Sequence, residues 1–260
     1  MAENQITGME EGGVQSQKDS SFRDSPDVVQ IIQKVVAEVI GTYFFIFAGC
    51  CSLVLNKVEE SKGSITFPGI CVVWGVTLMI LVYSLGHISG AHFNPAVTVS
   101  LAIYRQFPLK QVPLYIIAQI VGSVLASGTL DLLFDVDDNS YFGTVPTGSY
   151  TRSLVFEILT TFLLLFVISS VTTDNGAVGE LAGVAIGMTI LIDLFIAGNV
   201  SGASMNPARS LGPALVMHIY TGFWIYIVGP FLGGILGVTA YNLIRFNEKP
   251  LSSIRKESIR

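Results

Sequence analysis

Six stretches of about 20 apolar residues constrain this chain of 260 residues more than any other feature. They lie at about 35–55, 67–86, 112–133, 153–173, 181–198 and 222–244. A bilayer core about 30 Å thick is crossed by about 20 residues of helix. Lipid offers no partner to a backbone N–H or C=O, so such stretches must close their hydrogen bonds internally, as helices. Within them the acids are Glu38, Asp131, Glu157 and Asp193, with Asp131 at a helix end. The chain is 51% hydrophobic and 13% charged, against about 25% charged for a soluble domain. It cannot cover its apolar surface in water, and the lipid bilayer is its expected solvent. The net charge of -5 resides mostly in tails and loops, and no basic patch points to nucleic acid.

Cys50, Cys51 and Cys71 all lie inside apolar runs, without a CxxC pair or clustered histidines. They read as small packing residues, with no disulfide, metal or cofactor expected. The first 30 residues are polar and acidic, without the basic start and apolar core of a secretory signal. The expected organisation is a disordered tail over 1–33, a membrane domain over 34–247, and a second tail over 248–260.

Basic residues near helix ends set orientation. Arg105 and Lys110 mark the second connection, and Arg245, Lys249, Arg255, Lys256 and Arg260 the C-terminal end. The third connection holds Asp135, Asp137 and Asp138 against Arg152 alone. Both termini are therefore expected in the cytoplasm, although the fourth connection (Asp174, Glu180) lacks the basic residue this requires.

Two connections, 87–104 and 199–216, are too apolar for water and too short to span the membrane twice. They read as re-entrant segments. They also carry one pattern twice, SGAHFNPA from Ser89 to Ala96 and SGASMNPA from Ser201 to Ala208, 112 residues apart. AEVIGTYFF with Glu38 and FEILTTFLL with Glu157 match at a spacing of 119. The chain is thus two related halves, about 34–133 and 153–245, of three helices each. Three is odd, so the halves enter the membrane from opposite sides, as an inverted repeat. The expected fold is all-α: six membrane helices and two half-helices that meet at mid-membrane.

Asn is a strong N-cap and Pro is favoured at the first helical position. Asn94-Pro95-Ala96 and Asn206-Pro207-Ala208 therefore start the half-helices. An Asn oxygen can cap the helix while its NH2 donates into a lumen. Two helix N-termini aimed at one point add about half a positive charge each, which repels cations.

The double Asn-Pro-Ala, the run GHISGAHFNPAVT from Gly86 to Thr98 and the run GASMNPARSLGPA from Gly202 to Ala214 resemble the aquaporin, or major intrinsic protein, family. With TFPGICVVWG, the resemblance is strongest to the plant nodulin-26-like branch, and it covers about 34–247. It implies an hourglass pore in each protomer of a homotetramer, without enzymatic chemistry. It implies a constriction of Trp74, Leu194, Ala203 and Arg209, where orthodox water channels resemble this pattern with an aromatic residue and a His. The implied permeants are glycerol and related polyols, water, neutral metalloid hydroxides and undissociated lactic acid, with ions and protons excluded. A strict water channel and an ion-coupled secondary transporter stand as alternatives.

Glu38 and Glu157, matched between the halves, read as static acceptors for irregular backbone. Asp193 stands where that branch has a familiar Asn, and is expected at the outer interface, hydrated. His87 and His92 read as satisfied loop residues, and His218 as interfacial. Gly183 with Gly187 and Gly233 with Gly237 read as helix packing inside one protomer. The glycosylation pattern at Asn199 lies in a re-entrant segment, which argues against its use. Ser258 follows Arg255 in the tail and is a candidate kinase site. The plasma membrane is favoured over an internal one.

Overall fold

The computed structural model describes residues 27–58, 61, 63–137, 140–173 and 179–245. The expectations for 1–26 and for 248–260, Ser258 among them, lie outside the described residues, whereas 27–33, expected in the disordered tail, are helical. Among the described residues eight α-helices follow in order: α1 Asp27–Lys57, α2 Thr66–Ser89, α3 Pro95–Ile103, α4 Val112–Phe134, α5 Tyr150–Thr172, α6 Ala182–Ser201, α7 Pro207–Met217 and α8 Ile225–Ile244. Six of them are long and apolar enough to cross a membrane. The short ones, α3 and α7, are the two half-helices.

Helix limits depart from the apolar runs for local reasons. α1 begins eight residues before the expected start at 35, because the helix continues through Asp27, Gln30, Gln33 and Lys34, which interrupt the apolar run in sequence but not the backbone hydrogen bonding. α2 and α6 run to Ser89 and Ser201 and stop at Gly90 and Gly202, both left-handed, at φ 91° and 85°. α8 starts at Ile225 rather than 222, because Gly222 sits in a turn with φ 64°.

Six crossings put Asp27 and Ile244 on the same side, here called the terminal face. α1 packs on α4 within the first half, and α5 on α8 within the second. α2 packs against α6 between the halves. Each half-helix lies against the last helix of the other half, α3 on α8 and α7 on α4. The halves are thus interleaved, as an inverted repeat requires.

Close approach depends on the anticipated glycines. A Cβ on Gly187 would stand 2.5 Å from the Gly75 carbonyl oxygen, and one on Gly75 2.6 Å from that of Gly187. Gly233 and Gly237 meet the Ile158 and Phe162 carbonyls in the same way, while Gly183 lies under the Tyr83 ring. The GxxxG pairs therefore pack inside one protomer.

Candidate functional site

The two re-entrant segments are built from nearly superimposable parts. Each has three residues in the left-handed region: Gly90, Ala91 and Phe93 at φ 91°, 52° and 48°, and Gly202, Ala203 and Met205 at 85°, 45° and 54°. A chain so contorted turns N–H groups away from any helical partner, and buried donors must be satisfied. Glu38 and Glu157, both fully buried, supply the acceptors. Glu38 Oε1 accepts from Ser89 Oγ at 2.7 Å and His92 N at 2.9 Å, and Oε2 from Phe93 N at 2.7 Å. Glu157 Oε1 accepts from Ser201 Oγ at 2.6 Å and Ser204 N at 2.8 Å, and Oε2 from Met205 N at 2.8 Å. The static role read from the sequence has this geometry.

Sequence reasoning missed several members of these networks. The Tyr115 and Tyr226 hydroxyls donate to the carbonyls of Ser89 and Ser201, each at 2.7 Å. Their spacing of 111 residues was the available signal. Gln119 Nε2 donates to Glu38 Oε2 at 2.8 Å and has no such signal, because the corresponding place in α8 is Pro230.

The Asn-Pro-Ala turns join at the centre. Asn94 Oδ1 accepts from Ala96 N at 2.8 Å, and Asn206 Oδ1 from Ala208 N at 3.0 Å. Each amide nitrogen crosses to the other segment: Asn94 Nδ2 donates to Met205 O and Asn206 Nδ2 to Phe93 O, both at 2.8 Å. Cap and cross-link together fix both amides. Each NH2 has two hydrogens and uses one in the cross-link, so the second remains for a molecule in the lumen. A cavity of about 220 Å³ runs from Asn94 and Asn206 toward the terminal face, between mostly apolar walls.

The expected constriction lies on the other side of the asparagines. Arg209, at the N-terminus of α7, places Cζ 4.8 Å from the centre of the Trp74 ring. Such stacking of a guanidinium on an aromatic face is attractive. Arg209 Nη1 and Trp74 Nε1 are buried without a hydrogen-bond partner among the described residues. Trp74, Leu194 and Ala203 belong to one buried apolar cluster. Gly49 makes room for the indole, since a Cβ there would come within 2.2 Å of it. Residues 141–144 are strapped over this end. Lys57 Nζ donates to Tyr141 O at 2.6 Å, Cys50 Sγ to Phe142 O at 3.7 Å, and Thr144 Oγ1 to Ser210 Oγ at 2.6 Å. This strap carries no motif and was not legible in the sequence.

Among the residues singled out from the sequence, His92 is satisfied: its N–H meets Glu38 and its Nδ1 lies 3.0 Å from Thr98 Oγ1. His87 and His218 are exposed. Asp193 is a correction. It is fully buried, not interfacial, and neither carboxylate oxygen has a partner among the described residues. Gly187 turns one face of α6 to α2, and Ile190 lines the cavity from another. Asp193, seven residues after Ile186, falls on the same stripe of α6. A buried acid without a partner is costly. Asp193→Asn is therefore expected to stabilise the protein by about 1 kcal/mol or more. Thermal unfolding in detergent checks this, and a lowered midpoint would mean that the acid has a partner.

Interleaved inverted halves and two opposed half-helices, with a cavity running from their paired asparagines, define a membrane-spanning pore. The sequence profile of the major intrinsic protein family matches residues 26–241. The chain belongs to that family. It is 58% identical to a probable aquaporin of the NIP type from Nicotiana alata over 98% of this chain and 95% of that protein. It is 56% identical to nodulin-26 of Glycine max over 90% and 86%. The fold matches a solved aquaglyceroporin from Plasmodium falciparum with a TM-score of 0.73, at 24% identity, over 86% of this chain and 99% of that one. The protein is a multi-pass membrane channel and not an enzyme.

Proposed function

We propose that this channel passes glycerol and related polyols, with water at a modest rate, and that neutral metalloid hydroxides fit the same path. The observation that carries this reading is the pairing of Arg209 and Trp74, each with an unpartnered nitrogen among the described residues, with apolar Leu194 and Ala203 in the same buried cluster as Trp74. A polyol has a carbon edge for an apolar wall and hydroxyls for a donor cluster. Arg209 and the two half-helix N-termini oppose cations and protons. Basic residues at Arg105, Lys110 and Arg245 favour a cytoplasmic terminal face. The reading includes a homotetramer with four separate pores, placement in the plasma membrane and kinase action at Ser258. Its test is stopped-flow uptake by proteoliposomes offered water, glycerol, urea and boric acid in turn. Glycerol flux well above that of empty vesicles is the expected result. Water flux without glycerol flux would return the strict water channel.

A further inference from the structure

We propose that Gln106 is a second solute-selecting residue, at the terminal-face mouth of the lumen, across the paired asparagines from Arg209. The inference rests on the polyol reading above. The backbone at this position is held firmly. α3 ends with Arg105 N donating to Ala102 O at 3.0 Å and Gln106 N to Leu101 O at 2.9 Å, a paired closure that puts Arg105 at φ 58°. This is the Schellman arrangement, usually carried by glycine in the left-handed place. Here a non-glycine residue accepts that conformation, and the turn delivers the next side chain to the wall of the cavity.

Gln106 Oε1 is buried and has no hydrogen-bond partner among the described residues. A buried amide end without a partner costs about 1–3 kcal/mol, so an amide retained there calls for a ligand. Gln106 lines the same cavity as Asn94 and Asn206. Thr172 and Thr173, at the end of α5, line it too. Their hydroxyl hydrogens are taken within α5, by Ile168 O at 2.7 Å and Ser169 O at 2.7 Å. Their oxygens are left as acceptors. Much of the surrounding wall is apolar, with Leu101 and Ile186 in it. A hydroxylated neutral solute that leaves the asparagines, where it accepts hydrogen bonds, reaches a mouth where it can donate them. The mouth therefore repeats the combination of apolar wall and polar edge found at Arg209, with the hydrogen-bond polarity reversed. A solute with several hydroxyls gains from both ends, whereas an apolar or singly polar one does not.

The test is Gln106→Met, which keeps length and removes both hydrogen-bonding ends. In proteoliposomes, glycerol permeability should fall by about three- to tenfold, the equivalent of one lost hydrogen bond, while water permeability falls by much less. Gln106→Asn, which keeps the amide but withdraws it by one methylene, should lie between Met and wild type. It also supplies the comparison if the Met variant inserts poorly. Glycerol flux in the wild type with an unchanged glycerol-to-water ratio in both variants would overturn this inference alone. So would an equal fall in both permeabilities, which would mark a purely structural residue. Wild-type vesicles that pass no glycerol would instead overturn the polyol reading beneath it.

Discussion

Glu157→Leu is expected to leave almost no folded channel in the membrane. The substitution removes the acceptor for Ser201 Oγ, Ser204 N and Met205 N at once. All three donors belong to buried residues, so no lipid headgroup or bulk water replaces the carboxylate. Each orphaned backbone N–H costs about 1–3 kcal/mol. The two together consume much of the roughly 5–15 kcal/mol that separates a native domain from its unfolded state. The left-handed residues Ala203 and Met205 add to the loss, because their conformation persists only while its surroundings impose it. Glu157→Gln keeps one acceptor oxygen and should retain part of the folded protein. Fluorescence-detected size exclusion of tagged variants checks both. A Glu157→Leu protein that elutes and transports like wild type would show that the segment holds itself. Glu38→Leu should fail for the same reason, with His92 N and Phe93 N orphaned.

Much of this architecture is legible in the sequence because lipid is an unforgiving solvent. Six apolar runs can only be helices, and a repeated motif after an odd number of crossings can only be inverted. The role of Glu38 and Glu157 follows from their matched places. Legibility stops where the partner carries no pattern. Gln119 joins the Glu38 network from α4, and its counterpart place in α8 is proline. The strap through Tyr141 and Phe142 is held by backbone carbonyls, to which sequence is nearly blind. Asp193 was misplaced because a lone acid near a helix end usually reaches water. In this fold α6 continues to Ser201, and the side chain is fully buried. The constriction was named from the resemblance. The Trp74–Arg209 stack now gives two of its four residues a direct contact.

Selectivity is the second large effect. Glycerol can lay its carbons along Trp74 and Leu194 while its hydroxyls accept from Arg209. Water gains nothing from an apolar wall and loses hydrogen-bond partners beside it, at about 1 kcal/mol for each contact missed. Leu194→His returns a polar group and narrows the passage. Trp74→Phe removes the indole N–H, which is unpartnered among the described residues. The central claim is that these side chains choose the solute, and it is tested most directly by one ratio. That ratio is water to glycerol permeability of the Leu194→His, Trp74→Phe double variant, measured by stopped flow against wild type at equal insertion. The account predicts a rise on the order of tenfold, the equivalent of about 1.4 kcal/mol, with glycerol flux lowered. An unchanged ratio in a correctly inserted double variant would contradict it.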